Sequence, residues 1–176
     1  MPDSSRTAAS DVRDALDRLR QSFIERGDTG RRPNTAATAI WTDGLRFDVS
    51  GPAGERAVTD MPAAMGGKGR GPNPGWLLRA SLASCTATVI AMKAAQRGIA
   101  LDRLEVQVES ESDSRGLTGI EGTDTALHNL RMRVKVASAG TDDTTLRELV
   151  ASANQTSPVG ATLCMPAAIV LEVTTG

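Results

Sequence analysis

Tyrosine is absent from this 176-residue chain, tryptophan and phenylalanine occur twice each, and aromatic residues make up only 2% of it. Platforms that stack bases or sugars need aromatic faces, so that kind of ligand surface is excluded and the core has to be aliphatic. Neither sign of charge is in surplus, with 20 Lys plus Arg against 21 Asp plus Glu and a net charge of −1. A surface without a basic excess offers no electrostatic footprint for nucleic acid or for an anionic membrane. The chain has one histidine and two cysteines, Cys85 and Cys164, with no Cys-x-x-Cys pair. That set is too small for a structural zinc site, and neither a metal nor a cofactor is expected. The opening MPDSSRTAASDVRDALDR carries acidic residues and no apolar signal-type stretch, so the expected location is the cytoplasm, where thiols stay reduced.

What the sequence does have is Gly66 to Ile99, a glycine-rich approach leading into one long apolar helix. Asn73 is a ready N-cap, Pro74 suits a first turn where its missing N–H costs nothing, and Gly98 follows the basic last turn as a left-handed stop. No charge falls between Arg79 and Lys93, and a helix apolar on every side is a buried one. The charge-free run, broken by Ser81, Ser84, Thr86 and Thr88, is too short and too polar for a bilayer span of about 20 residues. Cys85 therefore lies on a central core helix. The small residues Ala80, Ser81, Ala83, Ser84 and Ala87 around it allow another backbone to come close, either a second helix or a copy of this one. Position alone makes a buried cysteine a small hydrophobe.

The length suits one domain with a real core. From Ser10 to Arg26, Val12, Leu16, Leu19 and Phe23 recur at helical spacing, and Gly27 to Asn34 reads as a linker. Residues 1–34 are thus an appended amphipathic helix and linker, and residues 35–176 the domain. Ala36 to Trp41 and Leu45 to Ser50 flank Asp43-Gly44 as a tight hairpin, with a third short strand at Glu55 to Asp60. Met61 to Pro72 contains Lys68 and Arg70 but lacks both the P-loop ending and the dinucleotide spacing. Strands at Leu104 to Ser110 and Leu130 to Val136 alternate apolar residues with acids in the first and bases in the second, which favours pairing them antiparallel. A helix follows, with Thr145 and Glu148 spaced as a capping box, and Pro158 ends or bends it. Ala167 to Val173 closes the chain as a strand. The order is that of an α+β domain with antiparallel sheets.

Asn73-Pro74, Leu77-Leu78, Leu82-Ala83-Ser84-Cys85, Gly98-Ile99 and the later Ser157-Pro158-Val159 together resemble the core motif of the OsmC/Ohr family, the osmotically inducible and organic hydroperoxide resistance proteins. The likeness runs from about Ala36 to Val173. It implies an OsmC-like fold, in which sheets wrap long central helices in an intertwined homodimer, and a thiol peroxidase activity. In that chemistry a thiolate attacks the O–O bond of an organic hydroperoxide and becomes a sulfenic acid that a second thiol resolves. Cys85 is the implied nucleophile. It sits about three turns into its helix, beyond the reach of the helix dipole, so a cation must activate it. The family uses an arginine from the early strand region; the hairpin turn has Thr42-Asp43-Gly44 at that place, which leaves Arg46 or Arg56 as substitutes, Arg46 being the one assigned. The family's glutamate after Asn-Pro is Gly75 here, and its second cysteine is Ser157. Cys164 lies seven residues further on, about 10 Å if the segment is helical, beyond the roughly 7 Å between Cα atoms that a disulfide tolerates. The implied enzyme is therefore of one-cysteine type with an external thiol reductant. Val89 and Met92 would shape a pocket for a lipid-like substrate. The other reading is a non-catalytic OsmC-fold protein that binds a small hydrophobic ligand at the dimer interface, with Cys85 kept for packing. A serine hydrolase on Ser84 is excluded, because no Gly-x-Ser-x-Gly elbow is present and His128 is the only possible base.

Overall fold

The computed structural model describes residues 4–27, 30–165 and 168–176. The element order is α1 (Ser4–Arg26), β1 (Thr38–Asp43), β2 (Arg46–Ser50), β3 (Arg56–Thr59), a 3-10 turn at Ala63–Met65, α2 (Pro74–Gln96), β4 (Arg103–Ser112), α3 (Ser114–Leu117), β5 (Leu127–Ala137), α4 (Asp143–Gln155) and α5 (Pro158–Cys164). Each expected element through α4 is present, α1 starting six residues earlier than its apolar spacing required. The chain divides into two compact units, one of residues 1–16, 81–108 and 131–176, the other of residues 17–80 and 109–130.

The first unit holds the aliphatic core. Ile90 and Ala94 of α2 meet Leu146, Leu149 and Ala153 of α4, and Leu104 and Val106 of β4 with Val134 and Val136 of β5 pack against them. On β5 the alternation is clean: Met132, Val134 and Val136 are half-buried while Arg131, Arg133 and Lys135 are exposed. β4 and β5 pair, and Lys135 Nζ reaches Glu105 Oε1 across them at 2.9 Å. That ammonium, ahead of Arg103, holds the Glu105 carboxyl below its ordinary range, as expected of acids set opposite bases. Leu149 is 0% exposed. Leu149→Ala removes the centre of this core and is expected to cost about 2–5 kcal/mol, read as a lower urea midpoint at unchanged slope.

Three expectations are corrected here. The N-cap of α4 is Asp142, whose carboxylate accepts from Thr145 N at 2.9 Å and Thr145 Oγ1 at 2.8 Å, so Thr145 lies inside the helix rather than capping it. A carboxylate also complements the helix N-terminus, which a threonine hydroxyl does not, and its pKa is lowered chiefly by the Thr145 amide. Burial of α2 on every side is not what one chain provides. Leu82, Thr86, Ile90, Ala94 and Ala95 are buried, whereas Ser81, Ser84, Thr88 and Ala91 are exposed. The closing strand is not formed either: residues 168–176 have no ladder partner among the described residues, and Ile169 is 89% exposed. Alternating apolar residues make a strand only where another strand supplies their hydrogen bonds. Ala167 lies outside the described residues. By length and composition α2 could cross a bilayer, but its apolar side is spent on α4 and the β4–β5 face.

The second unit holds an antiparallel sheet in the order β1-β2-β3. β1 and β2 pair Trp41 with Phe47 and Asp43 with Arg46 across the expected hairpin, with an irregularity between Trp41 and Asp43. The glycine-rich loop after β3 is gathered by Asp60, which is buried and accepts the N–H groups of Met61 at 2.8 Å, Lys68 at 3.2 Å and Arg70 at 3.1 Å. A Cβ on Gly67 would collide with the Met61 carbonyl, so this close wrapping requires glycine. The two cations of this loop have an internal partner: Lys68 Nζ lies 2.9 Å and Arg70 Nη1 3.2 Å from the Asp43 carboxylate. Those amides, Arg70 foremost, lower the Asp60 pKa. A carboxyl depressed in the folded state contributes stability above its unfolded pKa and loses it as pH falls below about 4. Proteolytic nicking of residues 61–72 should therefore rise on acidification, and Asp60→Asn should raise it already at pH 7.

Candidate functional site

The helix that carries Cys85 is set by local chemistry at both ends. Asn73 Oδ1 accepts from Trp76 N at 2.8 Å. At the other end Gly98 takes φ +68°, and Ile99 N donates back to Ala94 O at 2.9 Å, a left-handed stop that only glycine adopts without cost. Cys85 falls on the border between the buried and exposed sides of α2 and is half-buried. Cys85 lines an open groove of about 520 Å³, together with Val89, Met92, Lys93 and the polar Ser81, Ser84, Thr88 and Gln96 of α2, and with Thr156 and Pro158 from the α4–α5 junction. Val89 and Met92 are where the sequence placed a pocket wall. A volume in this range holds one small organic ligand. Lys93 Nζ donates to Ser152 Oγ at 3.0 Å.

Ser157 lies against the sulfur. Pro158 begins α5, so the chain leaves α4 at Thr156 and restarts with Ser157 as N-cap, its hydroxyl accepting from Gly160 N at 3.3 Å. The same hydroxyl donates to Cys85 Sγ at 3.3 Å, and Thr86 Oγ1 donates to Ser157 Oγ at 3.4 Å. Ser157 and Thr86 are both 0% exposed. Sequence reading registered Ser157 only as a lost cysteine and passed over Thr86. The available signal was a serine before proline, which is an N-cap at a helix restart.

Cys164 is a free, exposed thiol at the last position of α5. The segment between it and Ser157 is helical, as its misplacement for a disulfide required. Arg46 stands on β2 in the other unit, where Nη2 pairs with Asp48 Oδ1 at 3.0 Å and Nε is buried without a hydrogen-bond partner among the described residues. At Gly75, where the resemblance expects a glutamate, a Cβ would lie 3.3 Å from Asn73 Oδ1 and 3.7 Å from Arg79 Nη1, and Arg79 itself donates to Ser110 Oγ at 3.1 Å. Among the described residues no cluster of His, Cys, Asp or Glu is arranged to hold a metal ion.

The family model described as OsmC-like protein matches residues 67–172. The chain belongs to the OsmC-like family. No curated protein sequence matches it, but solved structures do. An OsmC-like protein of Mycoplasma pneumoniae superposes with a TM-score of 0.64 at 16% identity, covering 76% of this chain and 89% of that one. An organic hydroperoxide resistance protein of Legionella pneumophila gives 0.57 at 22% identity, covering 76% and 90%. A third, the organic hydroperoxide resistance protein of Elizabethkingia anophelis, gives 0.59 at 18% identity, covering 76% and 89%. At these identities the likeness establishes the OsmC fold, with its mix of helices and two small antiparallel sheets. It extends the match beyond the family model's 67–172 to about three quarters of the chain.

Proposed function

We propose that this OsmC-like protein reduces organic hydroperoxides with Cys85 as its nucleophile, in a one-cysteine cycle. The observation that carries the reading is the cysteine itself: a free, half-buried thiol that lines an open groove of about 520 Å³ beside Val89 and Met92. The thiolate attacks a peroxide oxygen, the S–O bond forms as the O–O bond breaks, and the alkoxide takes a proton from water. The hydroperoxide is thereby reduced to an alcohol and the sulfur oxidised to a sulfenic acid. An external thiol then attacks that sulfur and expels water, and a second thiol releases Cys85 as the reductant becomes a disulfide. The cation that the family sets beside this sulfur is assigned to Arg46 on the resemblance alone. The unit of function is a homodimer, the second copy covering Ile169, Val170, Leu171 and Val173, which one chain leaves exposed. A cytoplasmic location fits the reduced thiols that the cycle consumes.

The test is turnover of cumene hydroperoxide with dithiothreitol and then with dihydrolipoamide, in the wild type and in Cys85→Ser and Cys164→Ser variants. Turnover that survives Cys85→Ser ends the proposal. No turnover in the wild type with either reductant would leave the cavity to the ligand-binding reading.

A further inference from the structure

We infer that Ser157 is a positioning residue that aims its hydroxyl proton at the Cys85 sulfur. The inference rests on the reading of Cys85 as a working thiol, yet follows from counting donors and acceptors. A serine hydroxyl has one proton and two lone pairs. One lone pair accepts the Gly160 N–H that starts α5, and the other accepts the Thr86 hydroxyl. With both acceptor sites engaged, the group among the described residues that takes the Ser157 proton is Cys85 Sγ at 3.3 Å. The serine and the threonine are both fully buried, so water does not compete for that proton. Thr86 is the residue next to Cys85 on α2, and Pro158 fixes where α5 begins. The donor is thus held from two elements at once.

A hydrogen bond to a charged acceptor is stronger than one to its neutral form. A hydroxyl proton aimed at the sulfur can therefore share the negative charge the sulfur carries as it attacks, and holds the side chain in place. It gives the site a donor to sulfur in the same unit as Cys85, whatever Arg46 contributes. The serine that takes the place of the family's second cysteine is on this account a gain of a donor as well as the loss of a thiol.

The experiment is alkylation of the folded protein by iodoacetamide at pH 7, following Cys85 and Cys164 separately by peptide mass. Cys164, exposed and without contact to Ser157, is the internal reference. Ser157→Ala is expected to slow Cys85 about tenfold relative to Cys164, the size of effect that one hydrogen bond to a charged group has. Ser157→Thr, which keeps a hydroxyl, should restore the rate to within about threefold. Ser157→Gly loses the hydroxyl but remains a tolerated N-cap, and should slow Cys85 as the alanine does. Wild-type rates in Ser157→Ala and Ser157→Gly, or slowing in alanine that glycine does not share, overturn the inference. Unfolding moves the readout the other way, by raising the Cys85 rate to that of Cys164. Because no peroxide enters, absent turnover in the wild type together with slowed alkylation in Ser157→Ala would sink the peroxidase reading and leave this one standing.

Discussion

Cys85→Ser is expected to lower the turnover of cumene hydroperoxide by at least about 10³-fold, because a hydroxyl at neutral pH supplies almost none of the anion that attacks the O–O bond. The substitution changes one atom at a half-buried position, so folding should survive it and the loss can be assigned to chemistry. The companion substitution Cys164→Ser should leave turnover within about twofold, since that thiol lies at the far end of α5, outside the cavity lining. A steady-state assay with excess dithiothreitol separates the two. Equal losses in both variants would mean that the two cysteines work together, against the separation that the helical segment between them imposes.

Ser157→Cys should change the outcome of a single oxidation. The oxygen replaced lies 3.3 Å from the Cys85 sulfur, and the longer C–S bond brings a sulfur at that position close to the roughly 2.05 Å of a disulfide after a small side-chain rotation. One equivalent of hydroperoxide would oxidise Cys85 to the sulfenic acid, and the introduced thiolate would then displace its oxygen as water. In the wild type the sulfenic acid persists and dimedone traps it on Cys85. In the variant the trap should fail, and thiol titration should find Cys164 alone. A variant that still labels with dimedone and keeps its introduced thiol would show that the two side chains do not converge in solution as they do across the α2–α5 contact.

The parts of this fold that the sequence made legible were those decided within a few residues. Asn73, Pro74 and Gly98 set the limits of α2 by local hydrogen bonding, and Asp43-Gly44 set the first hairpin. The acid and base faces of β4 and β5 were readable because opposite charges have to meet somewhere. Where two local signals competed, the reading was off by three residues: Asp142 and Thr145 can each cap α4, and only the backbone path shows that the helix begins at Asp143. The closing strand shows another limit, since alternation at Ile169 to Val173 records what a segment is suited to pair with and not whether a partner is present. The all-round apolarity of α2 is of the same kind, a statement of what can be buried there. Least legible was the environment of the sulfur. Ser157 stands 72 residues from Cys85 along the chain, and only its place as the family's second cysteine hinted that the two meet, not that a hydroxyl there would donate to the sulfur. Only the restart of the helix at Pro158 brings them together.

Cys164 has a practical side as well. An exposed thiol at a helix end oxidises readily in air when two molecules meet, and it would join them covalently whether or not they associate natively. A slow band on a gel run without reductant would thus reflect sample handling, and Cys164→Ser protein is the proper starting material for any count of subunits.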